Sequence, residues 1–225
     1  MLSQITQKKI RSKLKNIYQP TSLKSEIDLI NKEIIQIIRN FNIKNSKKNK
    51  IISEKTTMVI CYGDSLQSNN QKYLIKNFQN FYQKKLKKYF DTIHFLPFYP
   101  SSSDSGFAVK DHYKVDNKIG TWSDLRNISK KCNIMADIVI NHSSARGLWF
   151  KNFLKEKRPG KNYFLTVNSK FNSSKVVRPR DHKLLKKIDF FNKEDFLWRT
   201  FSPDQIDLNF YNPNVLLRLS LIHIS

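Results

Sequence analysis

The run Met135-Ala136-Asp137-Ile138-Val139-Ile140 stops abruptly at Asn141-His142-Ser143-Ser144. No other feature restricts the possible folds as much. A short apolar, β-branched run bounded by polar residues reads as a buried strand of a parallel sheet. The third strand is therefore expected over residues 134–140. In a barrel of parallel strands, side chains just past the C-terminal end of a strand are the ones that meet substrate. Taken alone, the run also fits a strand that ends in a capping Asn and a surface His.

The flanking sequence supplies neighbours for such a strand. Leu23, Ile27, Ile30, Ile34, Ile37 and Phe41 recur at three- and four-residue steps. They predict an amphipathic helix over residues 21–41. Strands are expected at 58–61 and 93–96, and helices at 74–89 and 122–130. Residues 1–20 read as a frayed basic arm and 42–55 as a linker, densest in Lys from 44 to 50. Residues 145–199 form a long excursion without strong periodicity.

Charge could mislead here. The 225 residues carry 41 Lys and Arg against 18 Asp and Glu, a net +23. Nucleic-acid modules gather such charge on one face, interleaved with stacking aromatics. Here the basic residues are spread along the chain, so no nucleic-acid partner is expected. No apolar run of eighteen residues and no secretory h-region occur, so no membrane association is expected either. Cys61 and Cys132 fall in apolar surroundings, which reads as reduced-thiol usage in the cytoplasm.

Four ordered motifs carry a resemblance. They are Val59-Ile60-Cys61-Tyr62-Gly63-Asp64, and His94-Phe95-Leu96-Pro97 running on through Asp104-Ser105-Gly106-Phe107 to Asp111-His112. Asp137 through His142 follows, and then Phe201-Ser202-Pro203-Asp204-Gln205-Ile206-Asp207-Leu208. In this order they resemble the sucrose-phosphorylase-like subfamily of the α-amylase superfamily, from about Thr57 to Leu217. The resemblance implies an α/β fold, the N-terminal part of a (β/α)8 TIM barrel. It would comprise about strands one to three plus an inserted small domain, preceded by a helical extension. The implied division is a basic extension at 1–55, the first three βα units at 56–145, an inserted segment at 146–209 and a truncated helix at 210–225. The end of that helix, Ser220-Leu221-Ile222-His223-Ile224-Ser225, reads as a non-native tail.

The resemblance also implies roles. Asp104 and His142 would hold the glucosyl ring, and Phe107 would lie against its face. Phe201 and Gln205 would close the pocket beside the acceptor. Arg180, in Arg178-Pro179-Arg180, would approach phosphate with its guanidinium fork. Tyr62, Asp137 and Asn141 would be structural at the site, with Asp137 buried and therefore paired. Asp207 and Asn209 would hold the inserted segment to the barrel. No metal and no cofactor are expected.

The implied activity is that of a retaining α-glucosyl phosphorylase. It would convert sucrose, sucrose 6-phosphate, glucosylglycerol or glucosylglycerate, with phosphate, to α-glucose 1-phosphate. Its partners are then a sugar and inorganic phosphate. The alternatives are a hydrolase or transglucosidase of the same family, or a non-catalytic remnant. Retaining chemistry needs two carboxyls about 5 Å apart. The family's Arg-x-Asp-Ala nucleophile motif does not occur in the chain. No catalytic residue is therefore expected among these residues. The nucleophilic Asp and the acid/base Glu are expected beyond Ser225, and the chain alone is expected to be inactive.

Overall fold

The computed structural model describes residues 3–18, 24–40, 52–67, 74–190 and 193–224. Much of the expected linker at 42–55, with its Lys-rich stretch, lies outside them. Three short parallel strands form the central sheet in the order β1 (Met58–Cys61), β2 (Thr92–Phe95), β3 (Asn133–Ala136). Register aligns Val59 with Ile93 and Ile134, and Cys61 with Phe95 and Ala136. Successive side chains on a strand alternate between faces. The face carrying these residues packs on Ile75, Phe78, Leu125 and Ile128. Those four side chains come from the crossover helices α3 (Leu74–Phe81) and α4 (Trp122–Ser129).

The ends of the crossover helices follow local chemistry. α3 continues into a π-helical turn, Tyr82–Leu86, within the expected helix at 74–89. α4 starts at a capping box, in which Thr121 and Asp124 each accept the other's backbone N–H. The opposite face of the sheet is less covered: Ile60 and Met135 are exposed on either side of His94.

The expected third strand is corrected in length and burial. Pairing stops at Ala136 rather than running to residue 140, and Ile138 and Ile140 are exposed. The partner strand β2 runs into Pro97, which has no N–H to extend the ladder. An apolar run marks a strand but not where its pairing ends.

Residues 1–20 are corrected as well. α1 (Gln4–Tyr18) is a helix, not a frayed arm. Ile10, Leu14 and Tyr18 lie four residues apart, a stripe that the surrounding lysines hide. They pack on α2 (Lys24–Asn40), and Arg11 Nε meets Asp28 at 2.6 Å. This hairpin rests on α6 (Pro213–Ile224) through Leu217. The first residues of the expected non-native tail thus continue a regular helix.

The excursion after β3 has order that periodicity missed. β4 (His142–Ser144) pairs antiparallel with β8 (Gln205–Asp207). Between them lie α5 (Leu148–Phe153), β5 (Thr166–Asn168), β6 (Leu185–Phe190) and β7 (Lys193–Trp198). The three strands form a separate antiparallel sheet, ordered β5-β7-β6. A second core joins this region to α6 through Trp149, Phe153, Phe164, Leu197, Ile206 and Val215. No helix among the described residues is long and apolar enough to cross a membrane.

Candidate active site

The segments that follow β2 and β3 at their C-terminal ends enclose a cavity of about 300 Å³, and the 199–207 segment completes its wall. Asp104 and Phe107 come from the first segment, Asp137 through His142 from the second, and Phe201 and Gln205 from the third. Five of the six expected substrate-binding residues therefore share one space. Gln205 Nε2 donates to Asp104 Oδ2 at 2.7 Å across a sequence separation of 101 residues. The buried Gln205 Oε1 has no hydrogen-bond partner among the described residues. The exposed Asp104 carboxylate in the lining is an acceptor of the kind that a polyhydroxylated ligand requires.

His142 is buried, and its Nε2 lies 3.1 Å from the Phe107 carbonyl oxygen. A carbonyl only accepts, so Nε2 carries the proton. Nδ1 is then the acceptor, with Asn141 Nδ2 a distant donor at 3.5 Å. The imidazole ring lies 5.2 Å from the Phe201 ring. Burial pushes the His142 pKa below 6.5, while the Phe107 carbonyl and the charges of Asp207 and Asp104 oppose that shift. Below pH 6.5 the unfolded chain takes up a proton that folded His142 refuses. Stability is therefore expected to fall on acidification from 6.5 toward the folded midpoint, and His142 should contribute no pH dependence above 6.5. An imidazole NMR titration checks this, and a His142 midpoint above 6.5 would refute it.

The Asp104 turn is held in an uncommon conformation. Asp104, Ser105 and Gly106 have φ of 57°, 48° and 105° in succession. Such backbone costs about 1–3 kcal/mol per strained residue and persists only where its surroundings over-determine it.

Asp137 was expected to be buried and therefore paired. The burial is corrected, and the partner is one that the motifs did not name. Its side chain is 28% exposed and pairs with His94, Nε2 to Oδ2 at 3.1 Å. His94 lies on β2 between Ile60 and Met135 in register, on the less covered face. A histidine in the middle of an apolar strand was the available signal for this partner. Asn141 is an exposed member of the lining. Its carbonyl accepts from Leu208 N–H at 2.9 Å and ties the third segment to the second.

Two expected site residues lie outside the cavity. Arg180 is exposed, with its guanidinium carbon 5.8 Å from the centre of the Phe201 ring. Tyr62 lines a separate cavity of about 330 Å³ behind the Asp104 turn, with Asp64, Tyr99, Ser105 and Gly106. His112 is buried, stacks on Trp149 at 5.1 Å, and its Nε2 lies 3.2 Å from the carbonyl oxygen of Val139, a residue of the cavity lining, without lining the cavity itself. Asp207 accepts both the Thr200 N–H, at 2.9 Å, and its hydroxyl, at 2.6 Å. Among the described residues no group of three or more His, Cys, Asp or Glu side chains is placed to hold a metal ion.

A parallel βα sheet, an insertion after its third strand, and a cavity at the C-terminal strand ends together define part of a (β/α) barrel of the enzyme type, with its site at the strand ends. The chain belongs to the alpha-amylase family: the model of the alpha amylase catalytic domain matches residues 81–222. Glucosylglycerate phosphorylase of Allomeiothermus silvanus is 42% identical over 167 residues, covering 74% of this chain and 30% of the relative. Glucosylglycerate phosphorylase of Escherichia coli is 38% identical over 174 residues, covering 77% of this chain and 31% of the relative. The chain thus spans about a third of the length of these relatives. The crystal structure of sucrose 6F-phosphate phosphorylase from Thermoanaerobacter thermosaccharolyticum superposes with a TM-score of 0.62 at 26% identity, over 79% of this chain and 38% of that one.

Proposed function

We propose that these residues form the glucosyl-binding wall of a retaining α-glucosyl phosphorylase. The whole protein would transfer glucose from an α-glucoside to inorganic phosphate. A carboxylate attacks the anomeric carbon and the acceptor alcohol leaves with a proton from the acid/base. Phosphate oxygen then displaces the carboxylate, giving α-glucose 1-phosphate. Both reacting carboxyls would come from the part that the resemblance places beyond Ser225. The observation that carries this reading is the convergence of Asp104, Phe107, His142, Phe201 and Gln205 on one cavity.

Glucosylglycerate is the favoured donor, because the relatives at 42% and 38% identity are named for it. Sucrose, sucrose 6-phosphate and glucosylglycerol remain the comparison substrates. Arg180 over Phe201 supplies a fork for phosphate at the rim, and its fixed planar geometry suits a tetrahedral oxyanion. Two free thiols and the absence of a membrane-crossing helix among the described residues support placing the protein in the cytoplasm.

The test is release of α-glucose 1-phosphate by the whole protein from each of the four α-glucosides with phosphate. Release from none of them would overturn the activity, and preference for another donor would overturn glucosylglycerate. Arg180→Ala is expected to lower the ratio of phosphorolysis to hydrolysis of the glucosyl-enzyme about tenfold, the worth of a hydrogen bond to a charged group. Water needs no guanidinium clamp, so hydrolysis should survive. An equal loss of both rates would make Arg180 structural.

A further inference from the structure

Two adjacent residues, Asp204 and Gln205, together grip the first residue of the strained turn and the two residues before it. Gln205 holds Asp104 itself. Asp204 Oδ2 accepts from the Ser102 hydroxyl and, at 2.9 Å, from the Ser103 hydroxyl. Ser102 is in turn bonded to Ser144, Oγ to Oγ at 2.5 Å, and Ser144 N–H donates to the Val109 carbonyl at 2.8 Å. The Asp204 carbonyl accepts from Ala145 N–H at 2.9 Å. The 102–109 loop, the end of β4 and the approach to β8 thus meet at one carboxylate.

We propose that Asp204 is the positioning residue that fixes Asp104 for the glucosyl ring. The proposal rests on the reading of Asp104 as a sugar acceptor. Asp104 and Ser105, two consecutive non-glycine residues at positive φ, would relax toward commoner backbone if left alone. Two hydroxyls on one carboxylate oxygen pin the residues immediately before the turn, and charge-assisted bonds of this kind are the strong ones. The other neighbour of Asp204 is a weaker contact. Arg146 Nε lies 3.8 Å from Oδ1 on a side chain that is 73% exposed. The grip on the serines, not that ion pair, does the positioning.

The test uses the whole enzyme and two independent readouts. Asp204→Ala is expected to lower kcat/KM for the α-glucoside about tenfold, the worth of a charged hydrogen bond, while leaving the KM for phosphate unchanged. Asp204→Asn keeps an acceptor oxygen facing the serines and should restore most of that loss. Arg146→Ala should behave as wild type. Amide hydrogen exchange across residues 102–108 judges the grip without turnover. Faster exchange in Asp204→Ala, restored in Asp204→Asn, supports it even where the whole protein shows no phosphorolysis. Unchanged exchange overturns it, as does an Asp204→Asn as impaired as Asp204→Ala. Should Asp204→Ala not fold, exposed Ser103→Ala replaces it. Faster exchange across the turn supports the grip, and wild-type exchange there overturns it.

Discussion

Asp104→Ala and His142→Ala are each expected to cut turnover of the whole enzyme about a hundred- to a thousand-fold, the loss of about 2.7–4 kcal/mol of transition-state stabilisation. The proposed reaction passes through an oxocarbenium-like state, in which hydrogen bonds to ring hydroxyls tighten. Asp104 reaches the cavity with one oxygen already held by Gln205, so its other oxygen is oriented before the sugar arrives. His142 is held by the Phe107 carbonyl in the tautomer that leaves Nδ1 as acceptor. Preorganised groups of this kind pay little reorganisation at the moment of reaction. The loss should appear in kcat as well as in kcat/KM, because the interaction strengthens beyond the bound state. Steady-state kinetics with glucosylglycerate would measure it. A variant that raises KM alone, with kcat intact, would show that the residue only binds the ground state.

Gly106→Ala should be damaging by a different route. Gly106 has φ of +105°, and a Cβ there would lie 2.5 Å from the Pro97 carbonyl oxygen. That oxygen is backbone and cannot swing aside. The conformation alone should cost the alanine about 1–3 kcal/mol, and relieving the contact must move either the turn or the end of β2. A lower midpoint of urea unfolding is the expected result, together with weaker sugar binding, because Asp104 rides on the same turn. An unchanged midpoint would show that the turn yields without cost and is not a rigid support.

The fold and the cavity were legible in the sequence to different depths. Asp104, Phe107, His142, Phe201 and Gln205 stood in ordered motifs, and the cavity lining includes all five. The central sheet was legible because apolar alternation places Ile93 and Phe95 on one face. The end of β3 was not, since pairing depends on the neighbouring strand and its Pro97. α1 was obscured because its stripe is only three residues wide among many lysines. His94 as partner of Asp137 needed the register between strands, which no local pattern contains. The Asp204 grip joins residues about a hundred positions apart. No spacing rule reaches that far, and Asp-Gln before an apolar strand has no signature of its own.

The hairpin of α1 and α2 packs against α6, so Leu14 and Tyr18 share a core with Leu217. A ribosome emits about 5–20 residues per second, so the hairpin emerges roughly 10–40 s before the helix that covers it. Through that interval its apolar seam faces solvent or a chaperone. α6 also reaches Ile206 and Leu208, on either side of Asp207, through Val215 and Leu219. The wall of the cavity thus packs fully only after synthesis has passed residue 215, and a helix made early waits on one made much later.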